Sequence, residues 1–200
     1  LQGYIEGEYI YISSNVAGKL LEMNVVRGQT VNANDTLFKL DPEPEKDILE
    51  ASKATIQQLQ AQVAFDKTQW YRQQKLIKAN ATDQSTLDRA ETDFLSKTQQ
   101  LNNAIATADQ NQWSLQQKTV HAPLNALVAD IYYRLGENVA VHQPVLSLLA
   151  PRYIRVLFYV PETKLSQVHL GQEITFSCDS CKEETKARIS FVSPIACLLY

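Results

Sequence analysis

Residues 48–118 read ILEASKATIQQLQAQVAFDKTQWYRQQKLIKANATDQSTLDRAETDFLSKTQQLNNAIATADQNQWSLQQK, a run without Gly or Pro in which Gln, Ala, Leu, Lys and Asp dominate. Such a composition belongs to long, solvent-exposed helices, and the run is too long for one ordinary globular helix. Its apolar residues show where it folds back. Leu49, Ile56, Val63, Trp70 and Ile77 recur every seven residues, and so do Leu87, Phe94, Leu101, Ala108 and Leu115; this is the spacing of a coiled-coil seam. The pairs Leu49/Leu115, Ile56/Ala108, Val63/Leu101, Trp70/Phe94 and Ile77/Leu87 each have numbers summing to 164. All five meet if the chain reverses around Thr82. The sequence therefore predicts an antiparallel hairpin, with its turn at Asn80-Ala81-Thr82-Asp83 and Asp83 capping the returning helix. Arms of about 35 residues would extend roughly 50 Å at 1.5 Å per residue. Gln57, Gln58, Gln73, Gln99, Asn102 and their neighbours make the outer faces polar, which argues against a bundle core inside a larger globule.

The hairpin is bracketed by strand signals. Tyr9–Ile12, Leu20–Val26 and Thr36–Leu40 are rich in aliphatic, aromatic and β-branched residues and are separated by turn residues. Asp41-Pro42 then offers an N-cap followed by Pro at the first helical position, with Glu43, Glu45 and Asp47 near the positive helix end. After Lys118 the strand signature returns and repeats the first segment at an offset of 108 without a gap. Gly18 maps to Ala126, Leu20 to Val128, Gly28 to Gly136, Val31 to Val139, Leu37 to Val145 and Leu40 to Leu148. Neither half alone buries much surface, so the two are expected to close on each other with the hairpin inserted between them.

The last fifty residues form a different unit. Tyr153–Val160, Glu173–Cys178 and Lys186–Val192 read as strands and Pro161–Val168 as a short helix, an incomplete barrel whose open edge calls for more chain, either beyond the C-terminus or from the first residues. The fold class is thus α+β: a long antiparallel helical hairpin (41–118) inserted in a split β module (1–40 and 119–150), followed by a partial β-barrel (151–200).

This arrangement resembles the periplasmic adaptor (membrane fusion, HlyD-like secretion) proteins, in which a biotinyl-lipoyl-like module is split by a helical hairpin and followed by a β-barrel. The likeness covers nearly the whole chain. It is carried by Glu6-Gly7, Ser13 to Gly18, Gly28-Gln29, Val31 and Leu40-Asp41-Pro42, by Ala122-Pro123, Gly136-Glu137, Val139 and Pro144-Val145, and by Val160-Pro161-Glu162, Gly171-Gln172 and Phe191 to Pro194. Asn34, His142 and Ala126 stand where the family usually has Gly; Asn and His tolerate positive φ better than most residues, so both turns are expected to form. The resemblance implies a non-enzymatic periplasmic subunit, a trimer or hexamer. It would be anchored to the inner membrane through an N-terminal segment preceding Leu1, and would link an inner-membrane transporter, the ATP-binding cassette type being preferred, to a TolC-like outer-membrane channel. It further implies that the hairpin tip docks on the channel. The family often carries an Arg, a Leu four residues on and a Ser seven further; here these are Arg72, Leu76 and, in place of Ser, Asp83. The bland reading is a solvated Arg72, a Leu76 flanking the seam and an Asp83 that only caps.

Other chemistry is weakly indicated. A net charge of −3 gives no reason to expect nucleic acid, and no run approaches the ~20 apolar residues that span a bilayer. Cys178 and Cys181 flank a tight turn and are a candidate disulfide. With Cys197 as the one further thiol and His121, His142 and His169 scattered, they make no zinc set. Hydrolase, Walker and zincin motifs are absent, no Lys occupies a lipoyl-carrier turn, and no cofactor is expected. The competing reading is a structural coiled-coil scaffold unrelated to export.

Overall fold

The computed structural model describes residues 3–177 and 185–193. The chain divides into two compact units: residues 11–148 form one, and residues 1–10 together with 149–200 form the other. The candidate Cys178–Cys181 disulfide lies outside the described residues.

The first half-motif contains β1 (Gly3–Ser13), β2 (Gly18–Met23), β3 (Thr30–Val31) and β4 (Thr36–Leu40). The hairpin follows as α1 (Glu43–Lys78) and α2 (Gln84–Gln116), and then come β5 (Thr119–His121), β6 (Ala126–Ile131), β7 (Asn138–Val139) and β8 (Pro144–Phe158). A four-residue helix α3 (Glu162–Leu165) and the pair β9 (Glu173–Phe176) and β10 (Thr185–Arg188) complete the described elements. Strand order is β1-β8-β6-β3 in one sheet and β5-β4-β2-β7 in another, with β9 and β10 antiparallel. The sequence breaks the chain at residues 150 and 151, whereas β8 runs through both as one fifteen-residue strand. Residues 3–10 of β1 also group with the C-terminal unit, and β1 pairs with β8, so this N-terminal segment, one of the two sources expected, supplies a strand beside β8.

The repeat of 108 residues is a repeat of hydrogen bonds as well as of residue types. In β2 and β7, Gly18 pairs with Val139 and Lys19 with Asn138; adding or subtracting 108 gives the pairs of β3 with β6, Val31 with Ala126 and Thr30 with Leu127. The N–H of Gly28 donates to the Val128 carbonyl at 2.8 Å, and its equivalent in Gly136 donates to the Leu20 carbonyl at 2.8 Å. Both glycines have φ near +90° (84° and 91°), a conformation that side chains disfavour. The two turns that lack the usual glycine adopt the same geometry. Asn34 has φ 69° and His142 φ 61°, and their N–H groups donate to the equivalent carbonyls of Ala122 and Ser14.

Each half thus completes the other. Leu20, Val31, Leu37, Phe38 and Leu40 are fully buried, as are their counterparts Val128, Val139, Val145, Leu146 and Leu148. Burying a side chain of this size stabilises by about 1.5–3 kcal/mol, and the layer exists only when the halves close.

At the root of the hairpin the cap shifts by one residue from the sequence reading. Pro42 occupies the N-cap position, and Asp41 acts from one place earlier, its carboxylate accepting from the Glu43 N–H at 3.1 Å. Thirty-six residues of α1 amount to about 54 Å of helix.

Candidate functional site

The five seam pairs predict the hairpin's register. The Trp70 and Phe94 rings stack with centroids 5.4 Å apart and planes 8° from parallel, the one pair for which ring geometry tests the arithmetic directly. Leu49 and Ala108 are buried, while Ile56, Val63, Trp70, Ile77, Leu87, Phe94, Leu101 and Leu115 are half-buried. A second set of inward positions escaped the hydrophobic pattern. Ser52, Leu59, Asp66 and Gln73 are half-buried, and so are Asn111, Ala104, Lys97 and Ala90; these pairs have numbers summing to 163. Asn111 Nδ2 donates to Ser52 Oγ at 2.7 Å, confirming contact for the first of them. A polar pair at an inward position specifies register because a slipped alignment leaves its groups unpaired.

The tip is built by two complementary caps. Helix α1 ends with Asn80 at φ 53°. The Asn80 N–H donates to the Ile77 carbonyl at 3.0 Å and the Ala81 N–H to the Leu76 carbonyl at 2.9 Å, the paired bonds of a Schellman motif with Asn in the place usually taken by Gly. Helix α2 is capped by Asp83, whose carboxylate accepts from the Thr86 N–H at 2.8 Å and from the Ser85 and Thr86 hydroxyls at 2.7 and 3.2 Å. The Ser85 hydroxyl, then the Thr86 N–H, hold the Asp83 pKa below its ordinary value. A carboxyl whose folded pKa is lowered contributes stability that is present above its unfolded value and lost as pH falls through the folded one. We expect the first turn of α2 to fray as the pH drops below the usual Asp range, and Asp83→Ala to fray it at neutral pH. Amide exchange at Ser85, Thr86 and Leu87 measures both. Asp83→Ser, which keeps a capping oxygen, should retain protection at either pH.

Arg72 is exposed, and its guanidinium donates to Gln69 Oε1 at 3.3 Å, one turn back on its own helix. Leu76, one turn further on, is half-buried and its carbonyl holds the turn. Asp83 is exposed in the loop. The structure therefore gathers Arg72, Leu76 and Asp83 in the last two turns and loop of the hairpin, with an exposed cationic head, a partly covered aliphatic side chain and a capping anion. Beside them, Tyr71 packs against Trp70 at 5.1 Å with Lys67 5.9 Å above its ring, and remains half exposed. This grouping offers charge and apolar surface to a partner and holds no nucleophile–base pair. Among the described residues, no cluster of His, Cys, Asp or Glu is suited to a metal, and no helix is long and apolar enough to cross a membrane.

Comparison with known proteins agrees with the geometry. The family model described as the barrel-sandwich hybrid domain of RND membrane fusion proteins matches residues 8–149, the β module and its hairpin together. The chain is 26% identical over 190 residues to YdhJ of Escherichia coli (strain K12), covering 95% of this chain and 66% of that protein. It is 26% identical over 166 residues to the multidrug resistance protein MdtA of Proteus mirabilis (strain HI4320), covering 82% of this chain and 40% of that one. The chain thus spans less than two thirds of the length of either relative. Among solved structures, MacA from Actinobacillus actinomycetemcomitans superposes with a TM-score of 0.79 over 96% of this chain and 65% of its own, at 23% identity, and so shares the fold. With the family model covering both β halves and the insertion between them, the chain belongs to the RND membrane fusion proteins, a family of periplasmic adaptors of efflux-type pumps.

Proposed function

We propose that this chain is the adaptor of a tripartite efflux or secretion pump, bridging an inner-membrane transporter and a TolC-like outer-membrane channel, with the hairpin tip as its channel-docking end. One observation carries the reading. Two helices of 36 and 33 residues bury only Leu49 and Ala108 fully, so nearly all their outer surface is unused within residues 11–148. A long arm rooted in a module that closes across it transmits position, which a free-standing coiled-coil scaffold has no need to do. The matched family is named for RND pumps, which supports that transporter class over the ATP-binding cassette type that the sequence resemblance prefers. The name of MdtA supports drug-like cargo. The energy for transport comes from the transporter, and the adaptor works in the periplasm as a homo-oligomer held at the inner membrane.

The test uses the full-length, membrane-anchored protein. Arg72→Asp reverses the charge at the tip and Leu76→Ser removes an aliphatic anchor, and interface anchors of this kind cost about 2 kcal/mol or more when lost, roughly 30-fold in affinity. Cross-linking to the channel and export should fall in both variants while circular dichroism stays unchanged. Asp83→Ser keeps the cap and so isolates the loop's contribution to channel affinity from its contribution to helicity. Undiminished cross-linking and export in both Arg72→Asp and Leu76→Ser would sink the assignment.

A further inference from the structure

Lys118 is the least expected side chain in the molecule. It follows α2 by two residues, where a lysine reads as solvated, yet its side chain is only 4% exposed. Its ammonium lies 2.8 Å from Glu45 Oε1 in the first turn of α1 and donates to the Ala17 carbonyl, between β1 and β2, at 2.8 Å. Its own backbone joins two further elements: the N–H donates to Leu115 at the end of α2, and the carbonyl accepts from the Leu40 N–H at the end of β4. One residue thus touches both roots of the hairpin and both flanking pieces of the β module. The neighbouring Gln117 adds a weaker tie, its side-chain oxygen accepting from Asn15 Nδ2 at 2.9 Å.

The energetics separate what this pair does from what an apolar contact would do. Taking an ammonium and a carboxylate out of water costs several kcal/mol per ion, and a buried ion pair is often replaced by apolar residues without loss of stability. Glu45 is only partly shielded, but its second oxygen, Oε2, is buried with no hydrogen-bond partner, so the pair is not optimised for stability. Direction is what it supplies. The ammonium is satisfied only where the Ala17 carbonyl and Glu45 converge, and a methyl group on Gly18 would come within 3.0 Å of it. Lys118 also lines an open hollow at the hairpin root, together with Leu21, Leu40, Pro42, Leu115 and Thr119. The linkers are two residues each, Asp41-Pro42 on one side and Gln117-Lys118 on the other, and their backbone bonds (Leu40 N–H to Lys118, Asp41 N–H to Lys19) hold the roots in place, so the Lys118–Glu45 pair adds a side-chain tie to that frame.

We propose that Lys118, through Glu45 and the Ala17 carbonyl, is a positioning residue that fixes the direction of the hairpin relative to the β module. The adaptor reading gives that direction its purpose, since an arm that must meet a channel cannot swing freely at its root. The test is made without any channel, so its outcome is independent of whether the tip docks.

Backbone residual dipolar couplings are measured on the 200-residue chain, fitting hairpin amides (43–116) and β-module amides (11–40 and 119–148) separately. In the unaltered chain the two sets should share one alignment tensor. In Lys118→Met, and in the double variant Lys118→Met/Glu45→Met, the hairpin tensor should shrink at least twofold relative to the module while helical circular dichroism is unchanged. Glu45→Gln, which keeps the shape and an acceptor oxygen but not the charge, should fall between. Melting is recorded alongside, because a merely structural pair would lower the melting temperature and leave the tensors matched. If Lys118→Met alone does not fold, the double variant and Glu45→Gln decide. Folded variants in which hairpin and module still fit a single tensor overturn the proposal.

Discussion

Phe38→Ala is expected to destabilise the β module by about 3–5 kcal/mol, the range for deleting a fully buried phenylalanine. The Phe38 side chain has no exposed surface. It lies in β4 opposite Met23 of β2 on one side and Val120 of β5 on the other, so it touches both halves of the repeat. Its equivalent at the offset of 108, Leu146, is just as buried, and neither half can relax into the hole without losing its pairing with the other. Against a total stability of roughly 5–15 kcal/mol for a domain, such a loss is a large share. Urea titration followed by amide signals in β2, β4 and β5 reports the module rather than the hairpin. Phe65→Ala is the control, since Phe65 is 62% exposed on α1, and it should shift the midpoint by no more than about 0.5 kcal/mol. Equal effects of the two changes would place Phe38 outside the core.

The hairpin was legible because large apolar residues at a seven-residue period leave one register that satisfies all five layers. The repeat was legible because Gly28 and Gly136, or Leu20 and Val128, occupy matched positions in strands of matched length. What escaped the sequence has a common cause. Ser52, Asp66, Gln73, Lys97 and Asn111 face inward but are polar, and Ala90 and Ala104 are small, so a hydrophobic pattern passes over them; only the sum of 163, once the register is known, brings them out. Lys118 is hidden for the same reason, because a lysine carries no sign in sequence that its ammonium is claimed by a carboxylate 73 positions earlier. The sequence places a domain boundary between residues 150 and 151, yet β8 runs through it to Phe158 and contributes residues to both units. At the tip, the residue pattern located Arg72, Leu76 and Asp83. The capping role of Asp83 could be derived from its place before α2, whereas docking depends on a surface of another protein that this chain does not encode.

Cutting the chain between Leu40 and Asp41 tests the interlock of the halves and has the largest expected effect of all. Residues 1–40 contain β1 to β4, but most of their ladder partners lie beyond the cut. Thr30 and Val31 pair with Leu127 and Ala126, Gly18 and Lys19 with Val139 and Asn138, and Phe38 with Val120. The Leu40 N–H donates to Lys118, the Asn34 N–H to Ala122 and the Gly28 N–H to Val128. A fragment of this size cannot bury enough surface to fold without a metal or disulfide, and it contains no cysteine. Residues 41–200 keep both arms of the hairpin and its seam, so helical circular dichroism should survive. Their β5, β6 and β7 amides, having lost β4, β3 and β2, should exchange as fast as unfolded chain. Mixing the two fragments in equal amounts should restore protection at Val120, Val128 and Val139 together, since each closes on a different strand of the missing half. Protected β6 and β7 amides in residues 41–200 alone would show that the second half folds by itself, and that the hairpin is an appendage between two independent pieces rather than an insertion within one module.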